Sequence, residues 1–237
     1  MVMFEPSLSL VVAGALQAQQ PASPPAPPAP IEAVEAAHDR ESAPKKTSRW
    51  FVRVGALGAF YNAGARIALD GKVIPGGTAR VTDSKTLIFD IGYDLSDDWS
   101  LMVMGGIPPT AKVIGQGGVA SFGELGKVRF GPAIVTAVYR LPEWHGFRPY
   151  VGAGVAHLFI LKEYDRAVTQ LKVHDDTGFV VQAGVEYRLS RKWELFADYK
   201  HVGLHVHADG YLAGEPVRAR VTLNPDLVST GIKFHFR

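Results

Sequence analysis

The sequence predicts an all-β protein: an eight-stranded antiparallel up-and-down transmembrane β-barrel. Three observations predict this fold: a repeated phrase, alternating apolar and polar residues in eight runs, and aromatic residues at one end of those runs. The phrase YDLSDDWSL at Tyr93–Leu101 returns as YRLSRKWEL at Tyr187–Leu195, with a partial copy from Tyr139. The tyrosines recur at intervals of 46 and 48 residues (93 to 139, 139 to 187). A fixed interval of this kind marks a repeated supersecondary unit.

Each copy of the phrase sets a short polar turn between two alternating runs, which is the pattern of a β-hairpin. Extended along the chain, the alternation predicts strands over residues 49–61, 84–95, 99–106, 127–141, 147–161, 177–189, 192–203 and 220–236. Short turns (96–98, 142–146, 190–191) alternate with long connections (62–83, 107–126, 162–176, 204–219). Most of these strands have the ~9–11 residues that a tilted strand needs to cross a bilayer.

The alternation assigns residues to faces without saying which face points outward. Leu87 and Phe89 share one face of the second predicted strand, and Asp90 lies on the other. A soluble carrier would turn the apolar face inward, whereas a membrane barrel turns it to lipid and keeps its charges inside.

Aromatic placement favours the membrane barrel. Seven aromatics fall at strand ends next to the short turns or the chain termini, as an interfacial girdle requires. They are Trp50, Tyr93, Trp99, Tyr139, Tyr187, Trp193 and Phe234. We therefore expect apolar side chains outside the cylinder and paired charges inside it.

Composition is compatible with this fold. A mean hydropathy of +0.05 is too polar for a helical membrane protein, but alternation hides the hydrophobicity of a membrane barrel. The absence of cysteine excludes disulfides and thiolate metal sites, and no cofactor is expected. The net charge of +2 gives no reason to expect a nucleic-acid partner.

The N-terminal region differs from the rest of the chain. Residues 1–18 include an apolar run followed by small residues and are predicted to be a signal peptide, although Glu5 is the only charge near their start. Residues 19–48 hold six prolines between Pro21 and Pro30, which favours an extended periplasmic arm without a core. Residues 49–237 form the predicted barrel.

Residues 49–236 resemble the outer membrane protein W (OmpW) family, which includes alkane-uptake porins of Gram-negative bacteria. Four motifs carry the resemblance: WFVRVG at 50–55, LGKV at 125–128 leading to Pro132, FRPYVGAG at 147–154 and QAGVEY at 182–187. FRPYVGAG is the most specific. Two features depart from the family pattern: Arg237 follows Phe236, where the family usually ends on an aromatic, and the Pro-rich arm precedes the barrel.

The resemblance implies a barrel in the Gram-negative outer membrane that conducts small hydrophobic molecules. Its implied partners are outer-membrane lipid, lipopolysaccharide, the small hydrophobic solutes themselves and the barrel-assembly machinery that reads the C-terminal strand. Eight strands enclose an interior just wide enough for side chains, so any passage must be narrow. Apolar residues of the inward parity are path candidates: Leu57, Ile88, Met102, Met104, Leu158, Val180 and Phe196. Pro108, Pro109 and Pro132 interrupt ladder bonding on adjacent strands and mark a hypothetical lateral exit.

Two other functions remain open from sequence. The first is a structural or adhesive barrel with a sealed lumen, in which the path candidates simply fill the interior. The second is a lipid-modifying enzyme, which is less favoured because nucleophile, base and orienting acid do not occur together. His201, His205 and His207 share a parity and are weak metal candidates, but such exposed histidines are more often solvated, and no metal is expected.

Overall fold

The computed structural model describes residues 48–236, and β-strands account for most of them. The strands are β1 Trp50–Tyr61, β2 Gly64–Leu69, β3 Lys72–Val73, β4 Thr78–Val81, β5 Ser84–Asp94, β6 Trp99–Gly106, β7 Thr110–Gln116, β8 Glu124–Arg140, β9 Phe147–Asp165, β10 Val168–Val173, β11 Asp176–Arg188, β12 Trp193–Gly203, β13 His205–Leu212, β14 Glu215–Thr222 and β15 Pro225–His235. A 3-10 helix spans Gly117–Phe122. Among the described residues, no helix has the length and apolar character to cross a bilayer. The predicted signal peptide and nearly all of the predicted arm lie outside this range.

Eight of the strands close into a barrel. Their order is β1, β5, β6, β8, β9, β11, β12 and β15, and β15 pairs back with β1 in the antiparallel sense. The eight-stranded antiparallel prediction is thus confirmed, and β6 has the predicted bounds. The three short connections are residues 95–98, 141–146 and 189–192.

The long connections, in which no strands were predicted, do contain strands, so this part of the prediction is wrong. They contain β2–β4, β7, β10, β13 and β14, which extend the barrel beyond its upper end, opposite the short turns. Five of these strands form a second sheet in the order β10, β13, β14, β2, β3, while β7 pairs with a lengthened β8 and β4 pairs with β7. The predicted last strand is also divided, because Asn224 adopts a positive φ of 33° between β14 and β15.

The orientation of the faces agrees with the prediction. On the outer surface, Val54 is 58% and Leu87 55% exposed, whereas Arg53 and Asp90 inside the cylinder are 0% exposed. An apolar exterior around a charged interior is the reverse of a soluble carrier and matches a bilayer-spanning barrel.

The seven aromatics of the predicted girdle lie together at the short-turn end, with Phe147 as an eighth that the sequence analysis missed. They form four cross-strand pairs with ring centroids 4.6 to 5.1 Å apart: Trp50–Tyr93, Trp99–Tyr139, Phe147–Tyr187 and Trp193–Phe234. At the other end of the apolar band lie the exposed rings of Phe60, Phe159, Phe179 and Tyr199. From Trp50 to Phe60 a tilted strand rises roughly 25 Å, close to the apolar height of a membrane barrel.

Candidate functional site

Arg53 occupies the centre of the lower barrel interior, the half nearer the short turns. Its Nε lies 3.1 Å from Oδ2 of Asp90, and its Nη2 donates to Oδ2 of Asp198 at 2.9 Å. Three further donors reach the same oxygen of Asp198 at 2.8 to 2.9 Å: the Tyr150 hydroxyl, the Gln182 amide and the Lys200 ammonium. Strands from opposite sides of the barrel are thereby joined across its axis.

A second charged layer lies below the first, toward the short turns. Nζ of Lys233 is 2.8 Å from Oε2 of Glu186 and 3.2 Å from Oε2 of Glu194. Arg140 pairs with both Glu186 and Asp94. The sequence analysis placed charges inside but did not identify these partners, because they come from strands that are distant in sequence.

These two layers act as an ionic plug, the name used here for Arg53, Asp90, Arg140, Glu186, Glu194, Asp198, Lys200 and Lys233. Most of the plug is fully buried. Removing one partner of a buried ion pair lowers the free energy of unfolding by about 3–5 kcal/mol, because the remaining charge is left uncompensated. The two layers together fill the lower half of the barrel interior with mutually paired charged side chains.

A small apolar cavity of about 50 Å³ lies above the plug. Four of the predicted path residues line it: Leu57, Ile88, Met104 and Leu158. The other three are buried elsewhere in the interior. Met102 packs with Phe51, Val138 and Tyr150 at the level of the plug, and the ring of Phe196 lies 3.7 Å from the guanidinium carbon of Arg53. Val180 belongs to the surrounding core.

A second cavity of about 100 Å³ lies above the first, between the sheets that extend the barrel. Its lining is almost entirely aliphatic and includes Ile67, Val119, Leu125, Val206 and Val221. Ile67, Val119, Leu125 and Val206 lie in the long connections, where no strand was predicted, whereas Val221 lies in the last predicted strand. Alternation around Ile67 is weak, since its neighbours are alanine, arginine and glycine.

Phe130 lies between the two cavities. Phe130 and Leu223 line both of them, and the Phe130 ring meets Tyr61 edge to face with centroids 6.1 Å apart. The cavities are therefore arranged in series with an aromatic side chain at their junction.

The barrel wall beside the lower cavity is interrupted. The ladder between β6 and β8 ends at Met104↔Ile134, and ladder pairing resumes at Thr110↔Arg129, on β7. Within the interval, the Phe130 N–H donates to the Pro109 carbonyl at 3.3 Å. We call the interval, Gly105–Pro109 facing Phe130–Ala133, the wall break. Pro108, Pro109 and Pro132 all line the lower cavity at this point. Proline lacks the N–H that a ladder needs, which accounts for the interruption.

The wall break is also short of side chains. Gly105, Gly106 and Gly131 lie along it. A Cβ built on Gly131 would lie 3.5 Å from Cγ and 3.7 Å from Cβ of Pro108, in ordinary van der Waals contact, and no other residue lies within 4 Å of it. The ring of Phe89 lies 2.9 Å from an ideal Cβ on Gly105, so the wall at this point consists of proline rings together with Phe89.

The three histidines with matching parity do not converge. Nδ1 of His201 lies 2.8 Å from Asp226, and Nε2 of His207 accepts from Nε of Arg220 at 3.1 Å. His205 is exposed. Across residues 48–236, the structure gathers no three His, Asp or Glu side chains into a possible metal site.

The sequence matches one protein family. The OmpW family matches residues 47–236. A dibenzothiophene metabolism operon protein, PahQ, of Pseudomonas aeruginosa is 34% identical over 189 residues, which are 80% of this chain and 89% of that protein. Outer membrane protein AlkL of Ectopseudomonas oleovorans is 28% identical over 166 residues, covering 70% of this chain and 72% of AlkL.

Solved structures match the same region. Outer membrane protein OprG of Pseudomonas aeruginosa superposes with a TM-score of 0.75 at 20% identity, over 81% of this chain and 97% of OprG. The solid-state NMR structure of AlkL in DMPC lipid bilayers gives a TM-score of 0.66 at 25% identity, over 83% of this chain and 93% of AlkL. The similarity thus covers the whole barrel.

Proposed function

The chain belongs to the OmpW family of outer-membrane β-barrels, and on this premise we propose that it conducts small hydrophobic molecules from the cell exterior into the outer membrane. The solute enters the upper cavity and passes Phe130 into the lower one. It then leaves sideways through the wall break at Pro108, Pro109 and Pro132. The ionic plug prevents it from continuing along the barrel axis.

The observation that carries this proposal is the position of the two cavities relative to the plug. Both are apolar, they meet at Phe130, and the lower one ends at the wall break. Downward passage would separate buried ion pairs and leave their charges uncompensated in the interior, which is strongly unfavourable. Sideways passage exchanges an apolar cavity for lipid hydrocarbon, a transfer with little free-energy cost.

The outer leaflet explains why such a path is useful. A solute that buries roughly 200 Å² of apolar surface gains about 5 kcal/mol on leaving water. The charged sugar layer of lipopolysaccharide stands between water and the hydrocarbon core and offers no such environment. An apolar route through the sugar layer provides the solute with an apolar environment. Release at the wall break then delivers the solute to the hydrocarbon core.

The dimensions and a relative support a small apolar solute. Cavities of about 100 and 50 Å³ are smaller than the ~150 Å³ cavity that holds one benzene, so lining side chains such as Phe130 have to move aside as a compact solute passes. The relative PahQ is named for an operon of dibenzothiophene metabolism, and dibenzothiophene is a compact, apolar aromatic compound. We therefore extend the proposal to small aromatic and aliphatic hydrocarbons as a substrate class.

The test uses proteoliposomes whose outer leaflet is lipopolysaccharide, because plain phospholipid bilayers pass apolar solutes unaided. The rate at which an apolar dye reaches the bilayer core is compared with the rate in protein-free vesicles of the same composition. We expect faster arrival with the protein. Equal rates would reject the conduit and favour a structural barrel with a sealed lumen, a function that the plug alone would also suit.

A further inference from the structure

The outward face of the second sheet is strongly basic. Along β2, β13 and β14 the apolar residues Ile67, Val206 and Val221 point to the inner cavity, and the residues between them point outward. Those outward residues surround a broad depression of about 730 Å³. Its charged and histidine residues are Arg66, Lys172, His174, His207, Asp209, Arg218 and Arg220. We call this surface the basic face.

The positive charges on the basic face are only partly balanced. Asp209 is the sole carboxylate among the described residues that line the depression, and it is shared between Arg218, at 3.6 Å, and His174, at 3.0 Å. Within residues 48–236, Arg66, Lys172 and Arg220 have no carboxylate within 4.0 Å. Three exposed cations are thus available for an external anion.

Two of these cations face each other directly. Arg66 on β2 pairs with Arg220 on β14, so their side chains stand side by side on the same face. Like charges in opposed positions on neighbouring strands destabilise a sheet. A planar guanidinium binds phosphate oxygens through two parallel hydrogen bonds, and a phosphate between two arginines would remove their repulsion.

The location of the face indicates the source of the phosphate. In outer-membrane barrels the short turns are periplasmic and the long connections extracellular, so the second sheet projects from the outer leaflet. Arg66 lies six residues beyond Phe60, at the upper edge of the apolar band, which is roughly 20 Å of extended chain. This is the headgroup layer, where lipopolysaccharide carries its phosphates.

We propose that the basic face binds the phosphate groups of lipopolysaccharide molecules in the same leaflet, with Arg66 and Arg220 as the central pair. This contact is separate from the apolar route inside the barrel and does not depend on it. It anchors the extending sheet within the sugar layer that the upper cavity must traverse.

The proposal is tested with the purified barrel and fluorescent rough-type lipopolysaccharide, either intact or chemically dephosphorylated. We expect the protein to bind the phosphorylated form more tightly, and the preference to weaken as salt is raised from 50 to 500 mM. Arg66→Ser/Arg220→Ser should weaken binding of the phosphorylated form by about tenfold or more, since charge-assisted hydrogen bonds are lost. Equal binding of the two forms by the unmodified protein would overturn the proposal without any variant.

The matched control also removes two positive charges, but from the periplasmic end of the barrel. Arg191 and Lys192 are exposed in a short periplasmic turn, and Arg191→Ser/Lys192→Ser should leave binding unchanged. If this control weakens binding as much as the Arg66/Arg220 variant does, the effect is general electrostatics and the proposed site is wrong. If inorganic phosphate binds the unmodified protein but phosphorylated lipopolysaccharide does not, the face is a free-ion site and the lipid is rejected as partner.

Discussion

Arg53 and Asp198 are joined by a 2.9 Å hydrogen bond across the barrel interior, although their strands are separated by β15. Neither side chain is exposed. The pair therefore joins two non-adjacent strands of the wall through the barrel interior.

Arg53→Met should destabilise the barrel substantially. The variant leaves Asp90 and Asp198 buried without their shared cation, at a cost of about 3–5 kcal/mol in the free energy of unfolding. Urea unfolding of the protein in detergent, followed by its β-sheet circular dichroism, measures this change. Arg188→Met is the control: it removes a half-exposed pair with Glu143, worth at most about 1 kcal/mol. Equal losses in the two variants would contradict the ionic plug.

Gly131→Leu should slow the delivery of an apolar dye. The new side chain starts in contact with Pro108 and covers the wall break from outside. Ala137→Leu is the matched control, because it adds the same group to an exposed position of the same strand, where β8 is paired on both sides. Dye arrival in proteoliposomes bearing lipopolysaccharide is the measurement. Equal rates in the two variants would argue against lateral release.

Phe130→Ala should speed the passage of bulky apolar solutes relative to compact ones. The substitution enlarges the junction between the cavities, at a cost of about 3–5 kcal/mol in stability. The ratio of delivery rates for a three-ring and a one-ring aromatic reports the effect. Phe179→Ala, at a lipid-facing position that is 59% exposed, should leave the ratio unchanged. An unaltered ratio in Phe130→Ala would remove Phe130 from the path.

Tryptophan depth tests the membrane orientation. Trp50, Trp99 and Trp193 lie on the outer surface at the short-turn end, whereas Trp144 is 71% exposed within a turn. In single-tryptophan variants, we expect the first three to be quenched alike by lipids brominated near the headgroup, and Trp144 to be quenched most by aqueous iodide. Strong iodide quenching of Trp50 would contradict an interfacial girdle.

The sequence was most informative where local chemistry repeats. The tyrosine interval and the period-two alternation located the hairpins. Parity placed Asp90 and Leu87 on opposite faces, and the aromatic positions indicated which face points outward. Both signals depend on neighbours in sequence, which is why they can be read without a structure.

The sequence was least informative where function depends on distant residues. Ala65 and Ala68 flank Arg66 and Ile67 with little contrast in hydrophobicity, so β2 was taken as loop, and the upper cavity and the basic face were missed with it. The prolines of the wall break were identified, but their position beside a cavity depends on Leu57 and Leu158 from other strands. Met102 has the same parity as Met104, yet lies at the plug because the barrel is layered along its axis.

A reversible staple across the wall break tests lateral release most directly. The chain has no cysteine, and Cβ of Pro108 lies 3.7 Å from an ideal Cβ on Gly131, within the range that a disulfide spans. The variant Pro108→Cys/Gly131→Cys is reconstituted under lipopolysaccharide, and apolar dye delivery is measured before and after reduction. We predict delivery near that of protein-free vesicles when the disulfide is formed, and recovery when it is reduced. Equal delivery in the two states would contradict a sideways exit at this point.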